Sequence, residues 1–263
     1  MLKAFSTGAS PRRDRLLIAI CIAALTALSW VYLVGLQHEM CIRMPDRPST
    51  ASVALAVDLY WTPADRWLNF SMWAVMMVGM MAPSTAPLLT LYAAARSRKA
   101  GRSWVSVLVF SLGYVAVWTL FSAVATFAQW ALHQKAMLSA VMTVVSPRLA
   151  GAILVAAGIY QLTPWKSRCL SHCRSPLGFL MSHWREGNAG AFLMGFGHGI
   201  YCLGCCWALM CVLFAVGVMN LAWVAGLTAF VLLEKVGPVG VTVSRVAGVG
   251  LVILGAATSV LGS

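Results

Sequence analysis

Residues 189–216 read AGAFLMGFGHGIYCLGCCWALMCVLFAV, a run without a single aspartate, glutamate, lysine or arginine. At ~1.5 Å per residue such a run crosses the ~30 Å hydrocarbon core of a bilayer as a helix, for which about 20 residues suffice. It lacks the two-residue alternation of a barrel strand, and only helices or closed barrels satisfy backbone polar groups in lipid. Working outward, six more apolar stretches lie near 15–36, 67–92, 103–132, 148–165, 219–236 and 240–262. The chain of 263 residues is 60% hydrophobic and 10% charged, against about 25% charged in a soluble domain. The expected fold is therefore all-α: one polytopic transmembrane helical bundle of about seven helices. A soluble globule and a disordered chain are excluded, and the eight cysteines lack the spacing of a disulfide-stapled secreted domain.

The net charge of +12 reads as topology rather than as a nucleic-acid surface, so no nucleic-acid partner is expected. With the N-terminus in the cytoplasm, fourteen lysines and arginines fall inside, in groups around Arg12–Arg15, Arg96–Arg102 and Lys166–Arg185 together with Lys3, Lys235 and Arg245. Arg43, Arg47, Arg66, Lys135 and Arg148 fall outside. The first stretch follows Arg12, Arg13 and Arg15 as a signal sequence would. Its ~21 apolar residues exceed the ~7–15 of a cleavable core, so a retained anchor is expected. The segments 37–66 and 166–188 read as an outer and an inner loop. In the outer loop, His38-Glu39-Met40-Cys41-Ile42-Arg43-Met44 offers a low-affinity capture point for copper, and Cys41 lies near the same outer face as Cys211, with which it could pair. Glu234-Lys235 reads as a neutralising ion pair or an interfacial anchor.

Within the 189–216 helix, 100° per residue places Cys202 at 40°, Cys205 at −20° and Cys206 at 80° from His198. One imidazole and three thiols thus share a stripe, with Trp207 on the other side. Gly195, Gly197, Gly199 and Gly204 remove bulk and invite close approach of a second helix. Imidazole and thiolate hold zinc, iron–sulfur clusters or copper(I). The 67–92 helix adds Met76, Met77, Met80 and Met81 on neighbouring i, i+4 rows, and thioethers prefer copper(I) to zinc. Pro83 and Pro87 interrupt its hydrogen bonding, as at cavities in membrane helices. Counted from opposite faces, Met77 lies ~15 Å deep and Cys202 ~20 Å deep, so the two ligand groups reach a common level near midplane. Cysteine and methionine are also ordinary packing residues, and helix packing alone is the plainer alternative.

In the 166–188 segment, Cys169 and Cys173 flank His172 and could hold a metal ion in transit or form a redox pair. Lys166, Arg168 and Arg174 are expected to lower their thiol pKa values. No Walker-type phosphate loop, phosphorylatable Asp-Lys-Thr-Gly segment, Ser–His–Asp set or His-Glu-x-x-His is present, so ATP-driven pumping and hydrolysis find no support.

Together, Trp73-Ala74-Val75-Met76-Met77 through Pro83, Tyr160-Gln161-Leu162-Thr163-Pro164 through Cys169 and Cys173-Arg174-Ser175-Pro176-Leu177, and Gly197-His198-Gly199 through Cys202-Leu203-Gly204-Cys205-Cys206-Trp207 resemble the bacterial family of unknown function numbered 2182. Val218-Met219-Asn220-Leu221 and Phe230 to Lys235 extend the likeness over roughly 66–250, while the first helix and the outer loop match poorly. The resemblance implies an integral membrane protein of the bacterial cytoplasmic membrane that binds metal. Residues and resemblance lead to one expectation: copper(I) handled or transported through His198, Cys202, Cys205, Cys206 and the four methionines, with Cys169 and Cys173 at the inner side. Zinc or another thiophilic ion is the alternative cargo, and a soluble metal chaperone or acceptor protein the expected partner beside the lipid bilayer. A dithiol carrier and a non-catalytic assembly subunit are the competing functions.

Overall fold

The computed structural model describes residues 12–43, 61–97, 103–135, 137–138 and 146–261. These fold into nine helices: α1 (Arg12–Arg43), α2 (Pro63–Ser97), α3 (Ser103–Gln134), α4 (Pro147–Leu162), α5 (Pro164–Arg174), α6 (Pro176–His183), α7 (Gly187–Val216), α8 (Leu221–Val236) and α9 (Gly240–Leu261). All seven apolar stretches are helical. Five helices, α1, α2, α3, α7 and α9, are long and apolar enough to cross a membrane. At 16 residues each, α4 and α8 fall short of the ~20 residues a perpendicular crossing takes.

The segment read as an inner loop is the clearest departure. It forms α5 and α6, because Pro164 and Pro176 open helices instead of interrupting one. Proline is favoured in the first helical turn, where its missing N–H would have had no partner. Thr163 caps α5, its hydroxyl accepting from the Lys166 backbone N–H at 3.4 Å. Likewise α1 runs on to Arg43, so His38 and Glu39 sit on a helix. The side chains of Met40–Met44 lie outside the described residues, and with them most of the capture point and the pairing of Cys41 with Cys211.

Helix packing explains several glycines. A side chain on Gly195 would enter the backbone of Phe110, and one on Gly199 would meet Val117 at 2.8 Å, so α7 lies directly on α3. Gly204 serves the same purpose toward α5, with the Cys169 sulfur 2.8 Å from where its Cβ would stand. Gly197 has nothing within 4 Å and faces open space, contrary to the expectation of close approach. A second seam joins α4 and α9, where Gly151 and Gly158 face Gly255 and Gly248. Elsewhere α2 packs between α1 and α3, tied to α3 by the Trp73 indole N–H donating to Gln129 Oε1 at 2.6 Å. Pro83 and Pro87 lie inside α2 without ending it. The hydroxyls of Ser84 and Thr85 donate to the carbonyls of Met81 and Ala82, each at 2.8 Å, so both fold back onto their own helix between the two prolines.

Candidate metal centre

The stripe on α7 survives intact. His198, Cys202, Cys205 and Cys206 are all buried, and Trp207 is exposed on the opposite side. The thiols of Cys205 and Cys206 each donate to the Cys202 carbonyl at 3.0 Å, which holds both against their own helix. Met72, Met76, Met77, Met80 and Met81 are sealed in the same apolar cluster as the three cysteines. Met81 is brought to a thiol: its Sδ lies 4.0 Å from Cys206 Sγ. Met81 thus gives α2 a direct sulfur contact with α7. For Met76, Met77 and Met80 the structure gives burial beside the cluster.

From the other side, α5 presents Cys169 and Cys173, which share a face at i, i+4 spacing. Cys173 Sγ lies 4.0 Å from Cys205 Sγ, while the Cys169 sulfur rests over Gly204. All described cysteines are free thiols. The expected lowering of the α5 thiol pKa values is overturned. Burial pushes the Cys169 thiol up, and Cys205 adds to it. Hydrogen bonding with Cys202 and Cys205, and then burial, hold the Cys173 thiol well above its usual range. The neighbouring bases are engaged elsewhere: Lys166 with Glu234 and Gln161, and Arg174 with the carbonyls of Glu234 and Pro238.

Two site residues escaped sequence reasoning. Lys235 does not pair with its neighbour Glu234. Its ammonium reaches into the cluster, 2.9 Å from Cys202 Sγ, 3.3 Å from Ser84 Oγ and 3.7 Å from Met81 Sδ. Adjacent helical positions diverge by ~100°, and Glu234 instead pairs with Lys166 at 2.6 Å, both side chains 1% exposed. The other newcomer, Tyr114 on α3, places its hydroxyl 3.0 Å from Cys202 Sγ and donates to the Met81 carbonyl at 3.5 Å. Its ring stacks on His198 with centroids 5.9 Å apart. A buried lysine on an apolar helix was the one available signal, since a charge at membrane depth defaults to a functional reading.

The arrangement thus links Cys173 to Cys205, Cys206 to Met81, and Cys202 and Met81 to one ammonium. His198 stands at its edge, its Nδ1 buried without a hydrogen-bond partner. Among the described residues, no three histidine, cysteine, aspartate or glutamate side chains are already disposed to hold a metal ion. The Cys173–Cys205 separation of 4.0 Å matches two sulfurs bridged by one ion, since bonds of ~2.3 Å separate them by ~3.8 Å at a tetrahedral angle and ~4.6 Å in a line.

The family model PpoB2, described as a copper chaperone, matches residues 70–258, from α2 into α9 and including every residue of the cluster. That description carries copper directly, in place of the number 2182 to which nearly the same stretch was likened. No curated protein and no solved structure matches the chain. With more than two thirds of its length inside the match, the chain belongs to the PpoB2 copper chaperone family.

Proposed function

We propose that this protein is a copper chaperone embedded in the bacterial cytoplasmic membrane, with its N-terminus inside. It holds copper(I) near mid-bilayer on the α7 thiols, assisted by Cys173, Met81 and His198, and delivers it to an acceptor protein. The observation that carries the reading is the convergence of thiols from α5 and α7 with a thioether from α2. Soft sulfur donors in a low-coordinate shell select copper(I), whereas a structural zinc site takes four ligands in a tetrahedron. In this reading copper is cargo. Lys235 balances the charge of the bound thiolates, and Tyr114 orients Cys202 by hydrogen bonding. Met76, Met77 and Met80 line the cluster as a reserve of soft donors, and Cys169 extends the thiol track along α5.

Metal analysis after anaerobic purification tests this. Wild type loaded with copper(I) and washed with a competing chelator is expected to keep near-stoichiometric copper. A Cys202→Ser, Cys205→Ser, Cys206→Ser variant is expected to lose it. Equal trace metal in both would sink the reading. The dithiol-carrier alternative is favoured by one feature, the 4.0 Å approach of Cys173 to Cys205. It requires a reversible disulfide there and no metal.

A further inference from the structure

Beside the thiol cluster, α5, α6 and α7 enclose a second group of side chains to which the copper reading assigns no part. His172 on α5 and His183 at the end of α6 have ring centroids 6.2 Å apart. Tyr201 on α7 stacks on His172 at 4.2 Å with the rings 2° from parallel, and Phe179 stacks on His183 at 4.8 Å. Next to them lies a cavity of about 260 Å³ whose walls include His183, Tyr201, Phe179, Met194 and Arg185. Gly197, the glycine that touches no helix, opens onto the same space.

Both imidazoles are held in one tautomer. His172 Nδ1 donates to the Arg168 carbonyl at 2.9 Å. His183 Nδ1 lies 2.8 Å from Ser182 Oγ and 3.3 Å from the Phe179 carbonyl. Ser182 sends its own proton to Gly178 O at 2.8 Å, so its oxygen accepts from His183. A proton on each Nδ1 leaves each Nε2 with a lone pair, and neither Nε2 has a hydrogen-bond partner among the described residues. Metal-binding histidines are commonly fixed in this way, with the second ring nitrogen donating to a backbone carbonyl. Two imidazoles on one ion at ~2.0 Å would have centroids about 6 Å apart in a linear arrangement, close to the observed 6.2 Å.

The pair also adjoins the thiol cluster through α7, where Tyr201, stacked on His172, directly precedes Cys202. His172 is the neighbour of Cys173, whose sulfur reaches Cys205, and Phe179 meets the His198 ring edge-on at 5.1 Å. We propose that His172 and His183 form a second, transient copper(I) site at the cavity, through which the ion passes between a carrier and the buried thiols. This inference rests on the copper reading above. The step is ligand exchange without electron transfer. Copper(I) leaves the carrier for the two Nε2 lone pairs, then leaves these for cysteine sulfur, each thiol giving up its proton as it binds. Arg185 on the wall suits a carrier that is itself anionic.

The test uses the full chain in detergent under anaerobic conditions, with copper(I) presented as its anionic bicinchoninate complex. A His172→Gln, His183→Gln variant is expected to take up the same equilibrium amount of copper as wild type, at least tenfold more slowly. Unchanged equilibrium loading doubles as the check of folding. A Cys173→Ser, Cys202→Ser, Cys205→Ser, Cys206→Ser variant is expected to retain weakly held copper whose X-ray absorption shows nitrogen neighbours, lost when both histidines are also replaced. Uptake within twofold of wild type, a loss of equilibrium loading in the histidine variant, or no nitrogen-bound copper in the cysteine variant would overturn the proposal. Full, tightly held copper in the cysteine variant would instead sink the thiol-site reading on which it stands.

Discussion

Replacing Lys166 by methionine removes one partner of a charge pair whose side chains are each 1% exposed. Glu234 would keep its second oxygen, already without a hydrogen-bond partner, and lose the ammonium at 2.6 Å. Gln161 would lose its hydrogen bond to Lys166 as well. Breaking a buried pair from one side costs ~3–5 kcal/mol, because an uncompensated charge is left behind. At ~1.4 kcal/mol per factor of ten, that is two to three and a half orders of magnitude in the folding equilibrium. Replacing both partners, as Lys166→Met with Glu234→Leu, is expected to restore most of it, since apolar substitutes for a buried pair are often neutral or better. The assay is equilibrium unfolding in mixed detergent micelles, with copper affinity measured on the same samples. The pair ties α5, which carries Cys173, to α8, which carries Lys235, so affinity should fall and recover in parallel with stability. A single variant losing under ~1 kcal/mol, the range of an exposed pair, would refute the reasoning.

Three other outcomes are expected. Gly195→Ala drives a methyl into the Phe110 backbone and should cost ~1–3 kcal/mol as overpacking, whereas Gly197→Ala, with nothing within 4 Å, should be neutral or stabilise by up to ~1 kcal/mol through helix propensity. Thermal unfolding of the two side by side decides it, and equal loss in both would refute the packing account. Lys235→Gln removes the cation 2.9 Å from Cys202 Sγ, which favours negative charge on sulfur. Copper(I) affinity in chelator competition should drop at least tenfold, and unchanged affinity would remove Lys235 from the site. Mild oxidation of metal-free protein should link Cys173 to Cys205 first, given their 4.0 Å approach, as peptide mass mapping would reveal. A first link between Cys205 and Cys206 would contradict the docking of α5 on α7.

The stripe of His198, Cys202, Cys205 and Cys206 was legible because helix geometry alone assigns angles to residues on one element. Membrane character was legible because apolar runs of this length have few other uses. Partners from other helices were not. Lys235, Tyr114 and the reach of Cys173 to Cys205 depend on how α3, α5, α7 and α8 pack, and no periodicity within one helix encodes that. The helical nature of 164–183 was available in principle. Thr163-Pro164 and Ser175-Pro176 each place a capping residue type before a proline that suits a first helical position. Clustered charge in that segment outweighed the signal. Depth counting could bring α2 and α7 to a common level but could not name the sulfur contact between them, Met81 to Cys206.

The brevity of α4 has a consequence for the surrounding lipid. Sixteen residues rise only about 24 Å, some 6 Å less than a typical hydrocarbon core of ~30 Å. The glycine seam with α9 fixes α4 closely against its neighbour, leaving little freedom to relieve the deficit by sliding. In the proposed seven-helix membrane arrangement, acyl chains around that flank would compress, at fractions of a kcal/mol per Å of mismatch. Because α5 starts immediately after α4 ends, the same deficit would carry the polar start of α5 toward the interior. In that arrangement a thinned collar of lipid and deep α5 thiols would be two results of one short helix, and bilayers with shorter acyl chains are expected to accommodate the protein with less strain.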